Sequence, residues 1–118
     1  CKTIIEWNLA SDENQKPHTE GGCSSCLGAV TITGNSVQRN TAYYVIAHAS
    51  KFVPPGSVRL HSSNSSTLPN VSFLTPEEKI VTIVLNDSSN KINFNIILDG
   101  KDIHSSLNAG AIGTFVLN

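Results

Sequence analysis

Residues 92–107 read Ile-Asn-Phe-Asn-Ile-Ile-Leu-Asp-Gly-Lys-Asp-Ile-His-Ser-Ser-Leu. Ile92, Phe94, Ile96 and Leu98 fall on alternate positions, with Asn93, Asn95 and Ile97 between them. That period of two belongs to a half-buried strand. Asp99-Gly100 follows, and glycine supplies the positive φ that a two-residue hairpin turn needs. Ile103, Ser105 and Leu107 then alternate in the return strand. A β-hairpin is therefore expected across residues 92–107, and it sets the fold class of everything around it.

Upstream, Ile80–Leu85 is a continuous apolar run and reads as a central strand. Asn86 to Asn90 is a turn cluster between that strand and the hairpin. Val71 to Thr75 and the pair Val58 and Leu60 read as strands, separated by the polar loop Ser62 to Asn70. Pro76-Glu77-Glu78 is a turn. Downstream, Gly110 and Gly113 bracket a bend before Thr114 to Leu117. About six short strands at this spacing predict a β-sandwich from residue 57 onward.

Before residue 57 the pattern changes. Asn40 to Val53 carries Ala42, Val45, Ile46, Ala49 and Phe52 or Val53 on one helical face. Asn40 is placed to cap the helix with its side chain, and Pro54-Pro55-Gly56 ends it. Thr3 to Leu9 reads as a strand, and residues 11 to 40 as mostly loop. An apolar helix face this broad needs a sheet to cover it. The expected organisation is a strand–loop–helix unit over residues 1–56 and a sandwich over 57–118.

The chain has 118 residues, well short of the roughly 250 of a (β/α)8 barrel. Eight basic and nine acidic residues leave a net charge of -1, with no basic stripe for nucleic acid. No apolar run reaches the ~20 residues of a membrane span. Cys1 opens directly into a strand pattern, so a leader removed beforehand or a longer parent chain is expected. Cys1 also has no evident partner among the three cysteines. The sequons at Asn64, Asn70 and Asn86 occur at about the frequency expected by chance.

The chemistry-bearing residues lie near the start. Trp7, the single tryptophan, sits beside Asn8 at a strand end, ahead of a long loop. A flat ring and an amide there suit a sugar face and its hydroxyls, whereas the bland alternative for a lone tryptophan is the core. Glu6 is a carboxylate next to that aromatic, but along a strand it points away from Trp7. Cys23 and Cys26 form a C-x-x-C with three readings. A redox motif would open a helix, which Leu27-Gly28-Ala29-Val30 does not support. Zinc needs four ligands and only His18 is near. A local disulfide stiffening the loop is expected in an exported protein, and two free thiols otherwise. His48, His61 and His104 read as packed or surface histidines.

These residues together resemble glycoside hydrolase family 30, the glucosylceramidase-like enzymes. The resemblance rests on Glu6-Trp7-Asn8-Leu9-Ala10, on Pro17-His18-Thr19-Glu20-Gly21-Gly22-Cys23 with Cys26-Leu27-Gly28-Ala29, and on Ala42-Tyr43-Tyr44. It continues through His48-Ala49-Ser50-Lys51-Phe52-Val53, Pro55-Gly56-Ser57, Ile83-Val84-Leu85-Asn86 and Ala111-Ile112-Gly113-Thr114-Phe115. It implies a mainly β chain, a C-terminal sandwich preceded by the last strand, loop and helix of a (β/α)8 barrel. It implies retaining hydrolysis of a β-linked glycoside by two glutamates on earlier barrel strands, with no counterpart here. Glucosylceramide-like or β-1,6-glucan substrates are the leading expectations.

By the same resemblance Trp7, Asn8 and His18 would contact substrate, under the loop Pro17 to Cys23. The partners would be the remainder of the barrel and a β-linked glycoside or glucan. No cofactor or metal is expected. The location would be secreted or extracytoplasmic, lysosomal in an animal. Gln15-Lys16 depart from the pattern, since many members carry two glycines there. The competing expectation is a non-catalytic carbohydrate-binding or structural sandwich, for which exposed aromatics on one sheet face would be the mark. A remnant without function is a third, in which the helix face would be left bare.

Overall fold

The structure, a computed structural model, describes residues 5–118. The described residues divide into two compact units, with the break between Ala47 and His48. The chain is mainly β.

In the first unit β1 (Ala10–Asp12) pairs in parallel with β2 (Val30–Thr33), and β2 pairs antiparallel with β3 (Ser36–Arg39). Two expectations change here. The predicted strand at Thr3 to Leu9 is displaced, because the first described strand begins at Ala10. Thr3 and Ile4 lie outside the described residues. Asn8 takes φ 71°, which breaks the extended run just before β1. The second change is the β2–β3 hairpin, inside what read as loop. Thr33 faces Ser36 across Gly34-Asn35, and Gly34 takes φ 56°. Every residue of β3 is exposed, so burial leaves no hydrophobic alternation to read there.

Asn40 also departs from expectation. It precedes α1 (Thr41–Phe52), and its backbone oxygen accepts from the Tyr43 N–H at 3.1 Å. Its side chain, however, donates backward from Nδ2 to the Gly28 carbonyl at 2.7 Å and to Thr31 Oγ1 at 3.0 Å. The buried amide therefore ties the helix start to β2. Beside it, the Gly28 N–H donates to Ser11 Oγ at 3.3 Å. A Cβ at Gly28 would lie 3.0 Å from the backbone of Ala10 and Ser11. Gly28→Ala is therefore expected to lose about 1–3 kcal/mol through forced backbone shifts, read as a lower denaturation midpoint.

α1 has no fully buried residue. Val45 is 50% exposed and Ala49 is exposed, so part of the predicted apolar face is open, while Ala42, Ile46, Phe52 and Val53 are half-buried. The helix stops at Pro54-Pro55, after the Val53 N–H bonds the Ala49 carbonyl at 2.9 Å.

The second unit holds a four-stranded antiparallel sheet. Its order is β4 (Val58–Leu60), β5 (Asn70–Leu74), β6 (Ile80–Leu85) and β9 (Ile112–Leu117). The strands β7 (Ile92–Leu98) and β8 (Lys101–Leu107) form the predicted hairpin, with positive φ at Asp99 and Gly100. Val81, 1% exposed, and Val84 centre the core on β6, as its unbroken apolar run predicts. Ser72 and Thr82 face each other in register and share a hydrogen bond of 2.9 Å. The Phe94 and Phe115 rings meet edge to face at 5.7 Å and pin the hairpin to β9. His48 Nδ1 lies 2.7 Å from Thr114 Oγ1, a packed histidine as expected. His61 lies just beyond β4, which ends at Leu60, and is exposed. In the β5–β6 turn Lys79 Nζ donates to Glu77 Oε2 at 2.8 Å. The hydrogen bond and then the charge of Lys79 hold that exposed carboxyl below its ordinary range.

Candidate functional site

The first unit contains a recess of about 360 Å³ at the start of β1. Trp7, Asn8 and His18 line it together, with Gln15, Pro17 and Thr19. Gly22, Cys23 and Cys26 complete the wall. Trp7 is 80% exposed, so it is not a core residue within this chain.

The turn after β1 is organised by Asp12. Its Oδ1 accepts the N–H groups of Asn14 and Lys16, each at 2.8 Å. The Asp12 N–H donates to the Lys16 carbonyl at 2.8 Å, and the Gln15 N–H to the Asp12 carbonyl at 3.0 Å. A short polar side chain that bonds the backbone ahead of it is the usual means of holding such a turn. It sends the chain back toward the recess at Pro17 and His18. A second turn follows, where the Gly22 N–H donates to the Thr19 carbonyl at 2.9 Å. A Cβ on Gly22 would come within 2.8 Å of Thr19 Oγ1.

Cys23 and Cys26 are joined by a disulfide with 5.5 Å between their Cα atoms. The loop it closes is so short that chain-entropy reasoning gives it only about 2 kcal/mol. Its effect is local stiffening of one wall. Alkylation is expected to spare both thiols until a reductant is added, which intact mass would record.

No Asp, Glu, Lys or Arg is among the lining residues. Among the described residues, the side chains of Trp7, Asn8, Gln15 and His18 make no hydrogen bond to one another or to other groups. No carboxylate lines the recess. Glu6 is exposed outside it, and Glu13 Oε2 accepts from Thr33 Oγ1 at 3.2 Å. Among the described residues no three His, Cys, Asp or Glu side chains cluster as a metal site would need. A larger space of about 500 Å³ lies in the second unit between the sheets. Leu60, Leu68, Val84, Phe94 and Leu117 line it together with polar residues such as His61, Ser62, Asn70 and Asn95. Phe73, Phe94 and Phe115 are half-buried and form no exposed aromatic platform.

Residues 56–115 match the profile of the glycosyl hydrolase family 30 beta sandwich domain. The chain belongs to glycosyl hydrolase family 30. It is 30% identical, over 97% of its length, to the endo-1,6-beta-D-glucanase neg1 of Aspergillus fumigatus. It is 32% identical, over 77% of its length, to the lysosomal acid glucosylceramidase of Mus musculus. The solved structure of the endo-beta1,6-glucanase BT3312 superposes with a TM-score of 0.77 at 31% identity over 97% of the chain. The chain spans about a quarter of the first and third of these and 18% of the second. No helix among the described residues is long and apolar enough to cross a membrane.

Gln15, Pro17, Thr19 and Gly22 line the recess but were not singled out from the sequence as contacts. Gln15 read only as a departure from the family 30 pattern, and the other three only as part of the Pro17 to Cys23 loop. The fold of the Asp12 turn is what brings Gln15 to the recess.

Proposed function

We propose that this chain is the C-terminal portion of a retaining β-glycosidase, of the 1,6-glucanase or glucosylceramidase type. Residues 1–56 are its terminal barrel β/α unit, and 57–118 its bracing sandwich. Trp7, Asn8 and His18 form one wall of the sugar site. The observation that carries this reading is the exposed Trp7 ring beside unspent amide and imidazole groups, in a recess without a carboxylate. Such a wall orients a sugar, stacking its apolar face on the indole and bonding its hydroxyls to the amide. It cannot cleave the bond, because retention needs two carboxyl groups roughly 5 Å apart. Those glutamates belong to the rest of the barrel.

The open face of α1 supports this division, since a barrel helix is covered by its neighbours and by the strands beneath it. The names of the relatives favour a β-1,6-linked glucan over glucosylceramide. The Cys23–Cys26 disulfide supports an extracytoplasmic location. The test is hydrolysis of a β-1,6-linked gluco-oligosaccharide by the full-length gene product and by residues 1–118 alone. Activity is expected only from the former. Hydrolysis by the short chain, lost in Glu6→Gln, would refute the placement of the catalytic pair.

A further inference from the structure

Four described non-glycine residues take positive φ: Asn8, Gln15, Glu78 and Asp99. Glu78 and Asp99 serve the turns of β5–β6 and β7–β8. Asn8 and Gln15 both border the recess. Asparagine is among the non-glycine residues most often found in this conformation. Glutamine has no such excuse. At φ 62° its Cβ crowds the backbone, and glycine would hold the same turn without that penalty.

The turn itself does not call for glutamine. Its hydrogen bonds run through the Asp12 carboxylate and the backbone groups of Asp12, Asn14, Gln15 and Lys16. The Gln15 side chain contributes none of them. It is half-buried at the recess, and among the described residues its carboxamide has no hydrogen-bond partner. A strained residue that borders a recess, with no hydrogen-bond partner for its carboxamide among the described residues, points to use by a ligand.

We propose that Gln15 is a substrate-binding residue that sets specificity in this recess. Resting on the sugar-site reading above, its carboxamide takes a hydroxyl of the β-linked glucosyl unit whose face lies on Trp7. An amide is suited to that task, since it offers one acceptor oxygen and two donor hydrogens to a group that both donates and accepts. With Asn8 it presents two carboxamides to one sugar ring. A β-linked unit lacking the matched hydroxyl would leave the Gln15 amide unpaired and bind less well.

The experiment uses the full-length gene product and a β-1,6-linked gluco-oligosaccharide, with affinity from titration calorimetry in an inactive background and stability from thermal melting. Gln15→Gly is expected to weaken binding about five- to tenfold, the worth of one neutral hydrogen bond. Its melting temperature is expected to hold or rise, because the φ strain is relieved. Gln15→Ala keeps the strain and removes the amide, so it is expected to lose the same affinity without the gain in stability. Trp7→Ala separates this inference from the reading beneath it. If Trp7→Ala weakens binding and both Gln15 variants bind like the parent, the Gln15 role is overturned and the sugar site stands. If Gln15→Gly lowers the melting temperature together with affinity, glutamine is structural and the inference fails. Unchanged affinity in all three variants, or no binding by the parent, overturns the site and this inference with it.

Discussion

Asn86→Ala is expected to lower the stability of the sandwich by about 2–4 kcal/mol, seen as a reduced denaturant midpoint with an unchanged slope. Asn86 is 0% exposed. Its Nδ2 lies 2.7 Å from the Asn90 carbonyl and 3.0 Å from those of Leu107 and Asn108. Its Oδ1 accepts from Ser88 N at 3.1 Å and Ser88 Oγ at 2.7 Å. Its backbone N–H donates to Ala111, and its carbonyl accepts from Gly110. One side chain thus clamps the turn after β6 to the segment joining β8 and β9. Alanine would leave several of these groups unpaired in the interior, which is why the loss exceeds that of one hydrogen bond. Asn86→Asp is expected to do no better, since a carboxylate has no donor for three carbonyls. A loss below 1 kcal/mol for Asn86→Ala would show that water replaces the clamp. The same burial makes the Asn86 sequon incompatible with a glycan in the native fold.

On the proposed sugar-site reading, Trp7→Ala is expected to weaken binding of a β-linked gluco-oligosaccharide by the full-length gene product about 30-fold or more. An aromatic anchor at the centre of a contact is commonly worth 2 kcal/mol or more, and 1.4 kcal/mol is tenfold. The melting temperature should scarcely move, because Trp7 is 80% exposed and supports little within this chain. A large fall in stability with a parallel loss of affinity would instead make Trp7 a packing residue covered by other barrel strands. Trp7→Phe keeps a smaller flat face and should retain part of the affinity. Equal affinity in the parent and the alanine variant would end the stacking role.

Much of the sandwich was legible because its signals are local. The alternation in Ile92–Leu98, the Asp99-Gly100 turn and the apolar run Ile80–Leu85 each act over fewer than ten residues, and each element ends as read. The β2–β3 hairpin escaped notice for the opposite reason. Its strands have four residues each, β3 is exposed throughout, and Ile32 and Val37 point into solvent. Without burial, no hydrophobic period marks a strand, although Gly34-Asn35 was a turn signal of the proper kind. Asn40 shows a further limit. Its place ahead of a helix is a sequence property, but its side chain bonds Gly28 and Thr31, and only the folded chain brings those within reach.

The recess divides in the same way. Trp7-Asn8 and the Pro17 to Cys23 loop could be singled out because an aromatic and an amide at a strand end, and a Gly-, Cys- and His-rich loop, are unusual in sequence. Residue types and spacing by themselves determined the β-sandwich, the helix and the family. The tertiary structure alone decided that Asn86 is a buried clamp rather than a turn residue, and that Gln15 reaches the recess. It also started the first described strand at Ala10. Those outcomes depend on backbone φ at Asn8 and Gln15, and on hydrogen bonds between residues up to 22 positions apart. A linear pattern carries the period of a strand, whereas the partner of a polar side chain is settled only when distant segments meet.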